Sequence, residues 1–133
     1  MAAVTKIDPG KKALLLALMG LMMCGCGGRS TDDCLKALRS KDSTERLRAI
    51  NALGERRAQA AEVVPALTAA LQDDDAFVRR DAALALGEMG AGAKSAVPAL
   101  LAALRDRNAH VRQETVKALK RIDSQAAAQA GVQ

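Results

Sequence analysis

One stretch constrains this chain more than any other feature: Val64–Gly87 returns 33 residues later as Val97–Lys120. Val64-Pro65-Ala66-Leu67 becomes Val97-Pro98-Ala99-Leu100, Asp73 becomes Asp106, Val78-Arg79 becomes Val111-Arg112, and Ala85-Leu86 becomes Ala118-Leu119. Without gaps, 13 of the 24 aligned positions are identical. A weaker copy precedes them, with Leu38, Arg46, Ala52, Leu53 and Gly54 one period before Leu71, Arg79, Ala85, Leu86 and Gly87. A period of this length belongs to units that bury their apolar faces only by stacking on one another.

The phase of the apolar residues says what each unit is. Val78, Ala82, Ala85, Leu86 and Met89 follow i, i+4, i+7, i+8, i+11, and Val111, Thr115, Ala118, Leu119 and Ile122 repeat that spacing, one stripe of an α-helix. Ala49, Ala52 and Leu53 continue it in the first copy, where Glu45 takes the first position, as suits a terminal repeat with one side in water. Asp42, Asp75 and Asn108 precede these second, or B, helices as N-caps, because their side-chain oxygens accept from free first-turn amides. The first, or A, helices carry Cys34, Leu35, Leu38; then Val64, Leu67, Leu71; then Val97, Leu100, Leu101, Leu104. Pro65 and Pro98 fit a first turn, where no amide is needed, so each A helix is expected to start two to four residues before its proline. Gly54, Gly87, Gly90 and Gly92 read as breakers or C-caps, with Lys120 replacing the glycine of the last copy, where no further helix need be packed. Cys34 occupies a core-leucine position and reads as a buried thiol. The tail Ser124–Gln133 has little to bury and is expected to be flexible.

Composition supports helices. The chain has 1 Phe, no Trp and no Tyr, so its core is built from Leu, Ala, Val and Ile. The net charge of +5 includes +2 from Lys6, Lys11 and Lys12 against Asp8; the +3 that remains is no polyanion-binding signature. Those lysines precede Ala13–Met23, an 11-residue run of apolar residues and glycine. That is too short to span a bilayer, which takes about 20 residues, and suits the core of a signal peptide. With Gly25-Cys26 behind it, the segment resembles a bacterial lipoprotein signal. The resemblance implies residues 1–25 as signal peptide, Cys26 as lipidation site with Cys24 as the alternative, 26–31 as a tether, and an exported, membrane-anchored protein on the periplasmic or cell-surface side. Ordinary secretion, an uncleaved anchor and an unstructured N-terminus are the alternatives.

The pattern V-P-A-L-x-x-x-L-x-D, then V-R, then A-L-G, resembles HEAT-like repeats, in particular the short bacterial variety shared with phycobilin lyases. The resemblance implies an all-α fold: a right-handed α-solenoid of about three two-helix repeats over 32–123. It also implies a ladder of turn aspartates and arginines, within and between repeats, which maps onto Asp73 with Arg79 and Asp106 with Arg112. In the first copy Ser40 stands for the aspartate and Arg46 keeps the arginine, which puts the ladder in question at that end. The family is mostly a binding platform, with B helices on the inner curve, so their solvent-facing positions are the expected contacts: Arg48, Arg80, Asp81, Gln113, Glu114 and Lys117.

No catalytic or metal constellation emerges. The single histidine, His110, aligns with Phe77 and Thr44 and lacks clustered ligands. Asp73-Asp74-Asp75 becomes Asp106-Arg107-Asn108 one repeat later, so that acidic run is a turn with its cap. Arg48, Arg80, Lys117, Lys120 and Arg121 interleave with Asp81, Glu88 and Glu114, and stacking aromatics are scarce, which disfavours nucleic acid. The reading is a non-enzymatic, membrane-tethered scaffold or adaptor for an unknown protein partner, without cofactor or metal. A lyase-like accessory role is the alternative, and nucleic-acid binding along the concave face a remote one.

Overall fold

The computed structural model describes residues 28–132, and its repeat body begins at Thr31. The proposed signal segment, Cys24 and Cys26 lie outside the described residues. The described chain is helical, with no strand. Its helices are α1 (Thr31–Ala37), α2 (Ser43–Gly54), α3 (Ala60–Ala70), α4 (Ala76–Met89), α5 (Val97–Ala103), α6 (Ala109–Ile122) and α7 (Ser124–Gln129). Short 3₁₀ turns, Arg57–Gln59 and Gly90–Ala96, lead into α3 and α5. Pairs α1/α2, α3/α4 and α5/α6 are the three repeats.

The B helices α2, α4 and α6 start as their caps dictate. Asp42, Asp75 and Asn108 each hold extended backbone and accept from the amide two residues on, at Thr44, Phe77 and His110. The stripe residues are buried throughout α4 and α6. Thr115 is fully buried because its hydroxyl donates to the Val111 carbonyl at 2.8 Å, which removes the penalty of hiding a polar group. Cys34 is buried and free, at the position held in the other repeats by Leu67 and Leu100. The buried arc of α4 is wider than its stripe and takes in Ala83 and Gly87, since α4 has a B helix on either side.

Several expectations are corrected. Helix α3 starts at Ala60, five residues ahead of Pro65, so this proline lies inside the helix. The hydrogen bond it removes would go to the carbonyl of Ala61, an exposed residue where water substitutes. Pro98 is the second residue of α5, with a 3₁₀ turn rather than α-helix before it. Leu101, assigned to the buried face of its helix, is 36% exposed. The tail holds a helix: Asp123 caps α7 by accepting from Gln125 and Ala126, and Ala127 is buried against the body. Helix α7 sits one period after the 3₁₀ turn Gly90–Ala96, so it repeats the lead-in to an A helix.

Gly90, at φ 58, caps the C-terminus of α4 as expected, but Gly54 and Gly87 are packing notches. Gly54 ends α2 and Gly87 lies within α4. A Cβ on Gly54 would stand 3.0 Å from Ala85 Cβ, and one on Gly87 would stand 2.9 Å from Ala118 Cα. Each glycine thus receives the alanine of the next B helix, which draws α2, α4 and α6 into direct contact. The A helices stand apart, with open grooves of about 430 Å³ between α1 and α3 and about 460 Å³ beside α5. A double layer that is tight on one side and open on the other curves toward the tight side, so the B helices form the inner face.

Candidate interaction face

The turn between the helices of each repeat fixes the spacing of the stack. Arg79 sits in the first turn of α4 and is 5% exposed. Its Nη1 donates to the carbonyls of Asp73 at 2.7 Å and Asp74 at 3.1 Å, which ties it to its own turn. Its Nε and Nη2 grip the carboxylate of Asp106, in the next repeat, at 2.8 and 3.1 Å. Arg46 does the same one repeat earlier, with Asp73 at 2.9 Å through both nitrogens and Ser40 O at 2.9 Å. The ladder therefore runs between repeats. The expected pairing of Asp73 with Arg79 and of Asp106 with Arg112 is corrected: within a repeat the arginine meets only the aspartate's backbone, Arg112 donating to Asp106 O at 2.7 Å.

Ser40 leaves the first described rung intact, because Arg46 takes its carboxylate from Asp73 in the following repeat. What the position must still do is accept from the amide two residues on, and the Ser40 hydroxyl does so for Asp42 at 3.2 Å, as Asp73 does for Asp75 and Asp106 for Asn108. The fork geometry explains the ionisation behaviour. Burial alone would raise the Asp106 carboxyl, but the Arg79 hydrogen bonds and the Asn108 amide outweigh it and hold it below the usual carboxylate range. Hydrogen bonding to Asp73 and Asp106 raises Arg46 and Arg79 respectively, against the opposing effect of burial.

On the inner face, α4 and α6 enclose a groove of about 440 Å³. Arg80, Asp81 and Leu84 form its α4 wall; His110, Gln113, Glu114, Lys117 and Arg121 form the α6 wall. Five of the six expected contact positions thus meet in one place, while Arg48, on α2, is exposed outside it. Asp81 is not solvent-facing as expected; it is 8% exposed and accepts from Arg80 Nε at 2.8 Å and Nη2 at 2.7 Å. The Arg80 guanidinium also lies 5.2 Å from the ring centroid of Phe77, within cation–π range. Lys117 donates to Glu114 at 2.7 Å. The sequence reading missed Phe77, Leu84, His110 and Arg121 as members of this surface. The helical step could have found most of them, since Leu84 lies four residues beyond Arg80, and Arg121 four beyond Lys117.

Among the described residues no cluster of three or more His, Cys, Asp or Glu side chains could hold a metal ion. Asp73 and Asp75 in the acidic run serve Arg46 and the Phe77 amide.

Stacked helix pairs, a ladder of turn ion pairs and a polar inner groove define an α-solenoid of two-helix repeats. The chain belongs to the HEAT-repeat family: one family model, described as HEAT repeats, matches residues 31–96, and a second, described as HEAT repeat, matches 96–130. Among solved structures, it is similar to a chain in the complex of CpcE and CpcF of phycocyanin lyase from Nostoc sp. PCC7120. The identity is 31% and the TM-score 0.69, over 77% of this chain and 40% of that one. The protein thus spans less than half the length of that chain. No curated protein matches the sequence. HEAT repeats point to a protein-interaction module with a protein partner, and the fold is generally a non-catalytic scaffold.

Proposed function

We propose that this protein is a small non-enzymatic scaffold or adaptor that holds a partner protein on its inner face while an N-terminal lipid on Cys26 keeps it at a membrane. The observation that carries the binding part is the α4–α6 groove, where six charged and amide side chains from two repeats converge. The membrane part rests on the sequence of the first 26 residues. Among the described residues no helix is long and apolar enough to cross a membrane, so anchoring on this reading falls to acyl chains. Each buried CH₂ contributes about 0.8 kcal/mol, and more than one chain gives stable attachment. An accessory role to a lyase is the second reading, favoured by the likeness to a chain of the phycocyanin lyase complex.

Two measurements test the proposal. Mass spectrometry of the mature N-terminus should find a lipid-modified peptide beginning at Cys26. One beginning at Cys24 moves the site, and an intact Met1 with free thiols removes the membrane role. Affinity capture from native membranes should recover a partner with the unaltered chain and lose it with Arg80→Glu or Lys117→Glu. Identical captured sets would take the groove out of consideration.

A further inference from the structure

Two junctions inside the molecule show how one repeat receives the next. The receiving edge is an every-fourth-residue stripe of the B helix, Arg46, Ile50 and Gly54 on α2 and Arg79, Ala83 and Gly87 on α4. On α2 the arginine grips Asp73 of the following turn and the glycine admits Ala85; on α4 they take Asp106 and Ala118. Ile50 and Ala83, between them, are fully buried. The same stripe on α6 is Arg112, Val116 and Lys120, and it is open: the arginine and the lysine are exposed and the valine is half-buried. Arg112 Nη1 donates to Asp106 O at 2.7 Å, as Arg79 Nη1 does to Asp73 O, so its guanidinium is anchored to its own turn like those of the filled rungs. Its Nε and Nη2, the two nitrogens that hold a carboxylate elsewhere, have no hydrogen-bond partner among the described residues.

What fills this edge twice within the molecule defines what fits it a third time: a helix pair with an aspartate on its turn. Where a fourth A helix would begin in register, at 130–132, the backbone instead closes α7, with Gly131 at φ 73 and the Val132 amide donating to Ala127 O at 3.1 Å. A second copy stacked in register would bring Ser40 and Lys41 to the edge, a neutral group and a cation where Asp73 and Asp74 stand. Neither answers Arg112, and its neighbours on the turn, Arg105 and Arg107, are exposed cations as well. We infer that this end of the repeat body docks a helix pair of a separate partner protein, whose turn sets an aspartate in the Arg112 fork and whose apolar helix face covers Val116. A carboxylate held through two parallel N–H bonds fixes the register and the orientation of the docked pair together. Lys120 stands where glycine leaves a notch in α2 and α4, so the docked helix stands off at that level and the contact is made at the turn end of α6. The edge lies on the side of α6 turned away from α4, so the α4–α6 groove stays accessible and the two surfaces act independently.

The test mixes full chains in detergent and follows sedimentation velocity at the fluorescein absorbance. The probe is a labelled chain carrying Ser40→Asp, which supplies the turn carboxylate, and Arg112→Glu, which blocks its own receiving edge. The matched control is a labelled chain carrying Arg112→Glu alone. The probe should bind the unaltered chain about tenfold or more tightly than the control does, and the gain should shrink as salt rises. Arg112→Glu and Val116→Asp in the unlabelled chain should each remove the gain, and Arg112→Lys most of it, because lysine keeps the charge without the fork. Arg80→Glu, in the groove, should change binding by less than about twofold, which separates a failure here from a failure of the groove reading. The substituted side chains are exposed or half-buried, and unchanged helical circular dichroism spectra establish that the variants fold. The inference is overturned if Ser40→Asp adds no affinity, if the gain survives Arg112→Glu in the unlabelled chain, or if Arg80→Glu removes it equally. It is also overturned if the unaltered chain self-associates through Arg112, since a second copy is then the occupant.

Discussion

The ladder arginine occurs three times, and replacing Arg46, Arg79 and Arg112 in turn by methionine should give three different losses of stability. Arg79 has a side chain 6% exposed, paired with an Asp106 side chain 11% exposed. Removing one member of a buried pair costs about 3–5 kcal/mol. Asp106 keeps the Asn108 amide bond and some water, so the loss for Arg79→Met should be about 2–4 kcal/mol. Arg46 and Asp73 are slightly wetter, at 12% and 13%, and bind the terminal repeat, so about 1–3 kcal/mol is expected there. Arg112 is exposed and makes one hydrogen bond to a carbonyl, so its replacement should cost less than about 1 kcal/mol. Urea unfolding followed by circular dichroism measures all three. The discriminating step is a double-mutant cycle with Asp106→Asn, in which Arg79 should couple by about 1–3 kcal/mol and Arg112 by nearly nothing. Stronger coupling of Asp106 to Arg112 than to Arg79 would refute pairing between repeats, and equal losses for Arg79→Met and Arg112→Met would refute the burial argument.

Three further outcomes follow from the same structure. Leu86→Ala, at a fully buried site of the central repeat, should cost about 2–5 kcal/mol in urea unfolding; a loss under about 0.5 kcal/mol would mean the core is elsewhere. Gly87→Ala should destabilise although alanine is the better helix former by about 1 kcal/mol, because the new Cβ meets the α6 backbone at 2.9 Å and overpacking costs about 1–3 kcal/mol; a gain in melting temperature refutes the notch. The Asp106 carboxyl is lower in the folded than in the unfolded chain, so on acidification the unfolded state takes up its proton first. Its contribution should be complete above the ordinary value of 3.8 and vanish as pH falls through the folded value. Urea midpoints between neutral and strongly acid pH should therefore fall less steeply below that point for Asp106→Asn than for the unaltered chain.

The helices, the caps of the B helices and most of the core were legible in the sequence because each depends on residues within a turn or two, whereas Ile50 and Val63, both fully buried, lay outside the stripes. Asp75 caps α4 because its own backbone brings its side chain to the Phe77 amide, whatever surrounds it. Val78, Ala82 and Leu86 share a face because helical geometry places them there. The repeat then made the stack unavoidable, since a single pair of such helices has no way to cover its stripe.

Only the tertiary structure decided relations between repeats. The family resemblance mapped the ladder onto Arg79 with Asp73, but the carboxylate that Arg79 grips is 27 residues away on Asp106. The arginine's Nη1 is already spent on its own turn's carbonyls, and stacking brings the next turn to its free edge. Gly54 and Gly87 looked like helix ends until the neighbouring alanines gave them a packing partner. Asp81 lay in an exposed register by helical phase alone; α6 and Arg80 covered it. The grouping of Arg80, Leu84, His110 and Arg121 in one groove likewise required knowing which helices touch. The periodicity of a helix is a property of its own backbone, whereas the distance between two helices is set by the side chains of both.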